Sequence, residues 1–126
     1  MIRGIGVDIV EIGRVEALLE RFGERFVRRI LNEREIQAFR QRGSNPSFLA
    51  SRFAAKEAAS KAMGTGIAQG VGFHDIEVAN DSSGRPGLSF DGAARRVCQR
   101  LDVASAMLSL SDERHYCVAM VVLESA

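Results

Sequence analysis

The stretch that decides the fold reads Asn45-Pro46-Ser47-Phe48-Leu49-Ala50-Ser51-Arg52-Phe53-Ala54-Ala55-Lys56-Glu57-Ala58-Ala59-Ser60-Lys61-Ala62-Met63-Gly64-Thr65-Gly66. Asparagine followed by proline is a helix start: the amide side chain caps free N–H groups, and the proline fills a first-turn position where no donor is missed. Gly64 stops the helix, because glycine accepts the left-handed backbone that closes a helix end. Ala50, Ala54, Ala55, Ala58, Ala59 and Ala62 set this helix apart from a solvated one. Small side chains let neighbouring elements approach closely, so the pattern predicts a central helix.

Working outward, residues 2–9 alternate, with Ile5, Val7 and Ile9 on one face and Gly4, Gly6 and Asp8 on the other. That is a strand with one apolar face and one face kept bare for close approach. Ile12, Val15, Leu18 and Leu19 then recur at helical spacing as far as Gly23, and Phe26–Leu31 leads into a second helical segment, Glu33–Arg42. After a glycine-bearing loop over 67–74, Asp75–Asn80 and Arg85–Phe90 read as a hairpin around Asp81-Ser82-Ser83-Gly84. Asp91 caps a short helix through Leu101. Ser105–Ser111 and Tyr116–Leu123 are strands joined by Asp112-Glu113-Arg114-His115. With no repeat and no linker, the order predicts a single domain over 1–126 of the α+β class, a mainly antiparallel sheet with helices packed on one face. The other face of that sheet needs cover, which oligomerisation can supply.

The chain has 126 residues, 46% hydrophobic and 26% charged, with 17 basic against 16 acidic side chains and a net charge of +1. This balance excludes an intrinsically disordered, collagen-like or histone-like chain. The longest apolar runs, such as Val118–Leu123, are far below the ~20 residues of a membrane helix. The N-terminus lacks a signal-peptide pattern, so a cytoplasmic protein is expected. Cys98 and Cys117 lie in apolar segments without metal-ligand spacing and are expected to be buried free thiols. Arginine supplies nearly all the positive charge, and the only lysines are Lys56 and Lys61.

Three clusters bear on chemistry. Gly4 and Gly6 clear the approach to Asp8, which either projects a carboxylate into open space or ends the strand and caps the next helix. On the central helix, Arg52, Lys56 and Glu57 lie within about a turn, and Glu57 and Lys61 are four residues apart. These residues form either an exposed salt-bridged face or a functional group; a carboxylate on a central helix needs a partner, and a divalent cation shared with Asp8 would satisfy both acids. Gly64-Thr65-Gly66 is either a helix cap or a backbone nest for an anion. Residues 14–42 also hold eight arginines against five glutamates. Arg14, Arg21, Arg25 and Arg28 are spaced as a basic stripe, either a mixed solvated face or a docking surface for an acidic partner. Nucleic acid is a poorer partner, because aromatic content is 6% and the total charge is nearly neutral.

Gly4-Ile5-Gly6-Val7-Asp8-Ile9-Val10-Glu11 and Arg52–Gly66, together with Gly84-Arg85-Pro86 and Leu110–Tyr116, resemble the motifs of the holo-[acyl-carrier-protein] synthase family of small 4′-phosphopantetheinyl transferases. The resemblance spans essentially the whole chain. It implies transfer of the 4′-phosphopantetheine arm of coenzyme A to a serine of apo-acyl carrier protein in fatty acid biosynthesis, releasing adenosine 3′,5′-bisphosphate. It implies a homotrimer with active sites at subunit interfaces, and Asp8 and Glu57 as ligands of Mg²⁺. Lys61 would stabilise or protonate the departing α-phosphate, and Gly64, Thr65 and Gly66 would hold phosphate oxygens. Arg52, Arg85 and Pro86 fall at the 3′-phosphate and adenine end. Many members carry a histidine where this chain has Asp112, which leaves the base among Glu57, Asp112 acting through water and a metal-bound hydroxide, with Glu57 or a water it orients favoured. His115 receives no catalytic role. Acyl carrier proteins are acidic, which gives the arginine stripe its partner. A coenzyme A-binding trimer without transferase activity is the rival reading, and the pair Asp8 and Glu57 speaks against it.

Overall fold

The computed structural model describes all of residues 1–126. Its order is β1 (Ile2–Glu11), α1 (Ile12–Phe22), α2 (Glu24–Ile30), α3 (Glu33–Gln41), α4 (Pro46–Ala62), β2 (Ile76–Asn80), β3 (Pro86–Phe90), α5 (Gly92–Arg100), β4 (Ser105–Asp112) and β5 (Tyr116–Glu124). A single 3₁₀ turn, Phe73–Asp75, precedes β2 where the pattern had placed the end of a loop and the first strand residue. The antiparallel character is as expected, but the strands divide into two sheets: β1-β5-β4, and the hairpin β2-β3. Asp112 closes β4 instead of opening the turn. No helix is long and apolar enough to cross a membrane.

Helix α4 starts as its sequence dictates, with the Asn45 side chain accepting from Ser47 N at 2.8 Å and proline in the first turn. All six alanines are at most 5% exposed. One flank of the helix lies directly on β1, because Gly4 and Gly6 have no side chain there: a Cβ at Gly6 would stand 1.9 Å from the Ala58 carbonyl oxygen, and one at Gly4 would stand 2.0 Å from that of Ala62. The bare face of β1 is therefore occupied by α4, the close approach that its glycines allow, and Asp8 does not project into open space. The alternating apolar residues instead face away from the core. Ile5, Val7 and Ile9 are 61%, 56% and 64% exposed, and Met107, Tyr116 and Met120 continue the patch across the sheet.

Lys56 is fully buried and makes a pin through the helical layer. Its Nζ donates to the Ile30 carbonyl at 2.6 Å, to Glu35 Oε1 at 2.7 Å and to the Phe73 carbonyl at 3.1 Å, which uses all three ammonium protons. Glu35 is equally occupied. Its carboxylate accepts from Asn32 N in the capping box of α3 and, through Oε2, from Val78 N on β2. The pair joins α2, α3, α4 and β2 at one point. The reading of Lys56 and Glu57 as neighbours in one cluster fails for this reason, since they leave the helix about 100° apart. Asp91 stands at the start of α5 but makes no side-chain cap. Cys98 and Cys117 are buried and unpaired.

Candidate active site

At 100° per residue, Phe53, Glu57 and Lys61 form one line along α4, and Arg52 and Lys56 the next. The C-terminal part of the first line meets the glycine face of β1. Lys61 Nζ donates to Asp8 Oδ1 at 2.9 Å and to the Val7 carbonyl at 3.1 Å. Asp8 is well inside the strand, its side chain 15% exposed, while Lys61 is half exposed. It does not cap α1, whose N-cap residue is Glu11. Glu57 is half-buried, and burial raises its carboxyl above the ordinary carboxylate value. The negative charge of Asp8 adds to that rise, and Lys61 opposes it. Two carboxylates thus stand within electrostatic reach of each other and of one ammonium.

The donor chemistry fits Mg²⁺. Two hard oxygen donors on separate rigid elements suit an ion that keeps several waters and takes substrate phosphate oxygens as further ligands. One of these carboxylates already holds a cation, the Lys61 ammonium, in the structure.

A cleft of about 500 Å³ opens at the other end of α4, bordered by Arg42, Ser47, Phe48, Arg52, Asn80, Pro86 and Asp112. The guanidinium carbons of Arg42 and Arg52 lie 5.2 Å and 4.0 Å from the same Phe48 ring centroid. Burial, and then the like charge of Arg42, lowers Arg52 to about 10. Its buried Nε has no partner, although one terminal nitrogen reaches Asn80 Oδ1 at 3.3 Å. Two cations on one ring with a spare donor make a wall that attracts an anion. Arg42 was not singled out in the sequence because nothing local links it to Arg52.

Other expected site residues lie elsewhere. Thr65 N and Gly66 N both donate to the Ser60 carbonyl, at 3.2 Å and 3.1 Å, and Gly64 N donates to that of Lys61 at 3.0 Å. These three amides close α4, so of the two readings of Gly64, Thr65 and Gly66 the structure displays the helix cap. Arg85 borders a separate groove on the exposed sheet face with Met107 and Met120, and Pro86 borders both. Asp112 Oδ2 accepts from Ser47 Oγ at 3.2 Å. It therefore sits near the start of α4, about 15 Å of helical rise from Glu57.

The basic stripe is broken at Gly23, where φ is 55° and the chain passes from α1 to α2. Arg28 is tied to Glu33 at 2.9 Å and to Glu24 at 3.7 Å. Arg21 stacks on Phe22. Between the two helices and α4 lies an apolar groove of about 400 Å³, lined by Leu18, Phe22, Phe26, Phe53 and Phe73 and flanked by Arg25 and Arg29. The sequence offered Arg29 and Phe53 only as single residues; the groove exists because three helices and the 3₁₀ turn converge.

Residues 4–121 match the profile of the 4′-phosphopantetheinyl transferase superfamily. A holo-[acyl-carrier-protein] synthase of Vibrio parahaemolyticus is 56% identical over 124 residues, 98% of each chain. The crystal structure of holo-[acyl-carrier-protein] synthase from Neisseria meningitidis superposes with a TM-score of 0.92 at 41% identity, covering 99% of this chain and 100% of that one. A holo-(acyl-carrier-protein) synthase from Bacillus anthracis, in complex with coenzyme A (3′,5′-ADP), superposes with a TM-score of 0.82 at 42% identity, covering 100% and 99%.

Proposed function

Because the chain belongs to the 4′-phosphopantetheinyl transferase superfamily, we propose that its carboxylate–lysine corner and its arginine cleft serve a single reaction. It is a holo-[acyl-carrier-protein] synthase, moving 4′-phosphopantetheine from coenzyme A to a serine of apo-acyl carrier protein for fatty acid synthesis. The observation that carries the site assignment is the meeting of Asp8, Glu57 and Lys61 across β1 and α4.

Asp8 and Glu57 would hold Mg²⁺, which supplies charge neutralisation on the diphosphate and polarises the β-phosphorus. The carrier serine oxygen forms a bond to that phosphorus as the bond to the bridging oxygen breaks, and adenosine 3′,5′-bisphosphate departs. Glu57, or a water hydrogen-bonded to it, takes the serine proton. Lys61 places a positive charge beside the oxygen that gains the electron pair. Arg52 and Arg42 orient the 3′-phosphate and adenine end against Phe48. Pro86 forms an adjoining wall, with Arg85 on its far side.

Arg52 and Glu57 point about 140° apart around the same helix, which favours sites shared between copies: the arginine cleft and Asp112 of one subunit beside Asp8 and Glu57 of the next. The apolar sheet patch around Ile5, Val7, Ile9 and Met120 supplies the surface for a homotrimer. The carrier protein docks at α1 and α2, where Arg14, Arg21, Arg25 and Arg28 offer charge and the aromatic groove receives an apolar side chain. Phe53 lines that groove one helical turn before Glu57, so a docked carrier lies along the path to the carboxylates. Two unpaired thiols suit the reducing cytoplasm.

Incubating apo-carrier protein with coenzyme A, Mg²⁺ and enzyme should add a phosphopantetheine mass to the carrier, and Asp8→Ala or Glu57→Gln should each abolish that shift in a folded protein. A carrier mass that never changes with the intact enzyme would leave a coenzyme A-binding module; full activity in either variant would remove that residue from the site.

A further inference from the structure

Lys61 lies within hydrogen-bond reach of an oxygen that the metal also needs. Its ammonium is fixed from two sides, by Asp8 Oδ1 at 2.9 Å and the Val7 carbonyl at 3.1 Å. The side chain remains half exposed while Asp8 is largely shielded, so the lysine can swing into solvent more readily than the carboxylate can. A divalent ion bonded to Asp8 at about 2.1 Å would repel an ammonium held at this distance, since two cations in a partly desolvated pocket interact strongly. Glu57, the other carboxylate within electrostatic reach of Lys61, is itself assigned to the metal, so an anionic ligand entering the same corner is the acceptor left to a displaced lysine. No other basic side chain is paired with Asp8.

Resting on the proposed assignment of Asp8 and Glu57 as metal ligands, we propose that Lys61 is the resident cation of this corner: it holds the Asp8 carboxylate in place, opposes binding of a bare divalent ion, and moves to the diphosphate when metal and coenzyme A arrive together. Lys61 is thereby a positioning residue that makes metal and coenzyme A bind cooperatively, in addition to any contact with the reacting phosphate. The coupling is reciprocal: whatever factor coenzyme A contributes to metal affinity, metal contributes to coenzyme A affinity.

The test is Mn²⁺ binding to the metal-free protein, followed by the loss of the free-ion electron paramagnetic resonance signal, with and without coenzyme A. Replacing a partly shielded ion pair changes affinity by about three- to tenfold. Lys61→Met should therefore bind Mn²⁺ about that much more tightly than the parent when coenzyme A is absent, and its gain on adding coenzyme A should shrink by a similar factor. Lys61→Arg, which keeps a cation on Asp8, should retain the weak parental binding. Equal Mn²⁺ affinities for the parent and Lys61→Met overturn the exchange. If Asp8→Ala still loses the ion in that case, the metal assignment itself survives. Failure of the parent to bind Mn²⁺ even with coenzyme A present overturns both.

Discussion

Replacing Gly6 by alanine should damage stability and chemistry together, and the structure sets the size of the effect. The added Cβ would lie 1.9 Å from the Ala58 carbonyl oxygen and 2.7 Å from Ala62 N. These are backbone atoms inside a hydrogen-bonded helix and cannot rotate away. Opening 1.9 Å to the ordinary 3.4 Å contact requires β1 and α4 to separate by about 1.5 Å. Asp8 lies two residues further along the same strand face, so it retreats from Glu57 and Lys61 by a comparable amount. Overpacking of this kind typically costs about 1–3 kcal/mol, and a misplacement of about 1 Å at reacting groups costs on the order of a hundredfold in rate. Gly13→Ala is the control. Its nearest neighbour would be the Glu11 carboxylate at 3.8 Å, and an alanine inside α1 should gain about 0.5–1 kcal/mol. Urea unfolding gives the stability of each variant, and carrier mass against time gives the rate. A Gly6→Ala protein with parental midpoint and parental transfer rate would refute the claim that this contact positions the site.

Other outcomes follow from the same geometry. Lys56→Met strands the buried Glu35 carboxylate and should lower unfolding stability by about 3–5 kcal/mol; in the double variant with Glu35→Gln, which removes the charge and keeps an acceptor for the Val78 amide, recovery of part of that loss would identify the unpaired charge as its cause. Reversing Arg14 and Arg21 to glutamate should raise the KM for carrier protein while leaving that for coenzyme A unchanged, and equal changes in both would contradict docking at α1. Burial raises Cys98 and lifts Cys117, helped by Asp112 and Asp8, from 9.0 to about 11. Both thiols should therefore resist iodoacetamide at pH 8 until the protein is unfolded. For Cys117 the native state keeps its proton while the unfolded chain loses it, so stability should decline as pH climbs from about 9 to about 11; prompt alkylation in native buffer would show that the pockets open.

Helix α4 was legible because its signals are local: a cap at Asn45, proline beside it, alanines along the shaft and glycine at the end. The alternation of β1 was equally legible, but its orientation was not. Apolar residues on Ile5, Val7 and Ile9 ordinarily mark the core side, and here the glycine face takes that role because only hydrogen atoms fit against α4. Asp8, Glu57 and Lys61 could be named from motif spacing, yet their approach depends on β1 docking against a helix some fifty residues later in the chain. Glu35 was missed although Asn32 and Glu35 have capping-box spacing, since nothing in that box announces a lysine 21 residues away. Gly64-Thr65-Gly66 was ambiguous for a simpler reason: the same small residues serve an anion nest or a helix cap, and only the destination of their amides separates the two.

The placement of the Lys56 pin and the Glu57–Lys61 line on one seventeen-residue helix limits how this protein can change length. Adding or deleting one residue between Arg52 and Lys61 would turn everything downstream by about 100°, sending the lysine of the corner toward the core or pulling the buried ammonium into solvent. Such changes have no local remedy, because the two halves of the helix cannot both keep their neighbours. Length variation of this kind inside α4 should therefore be lethal to function.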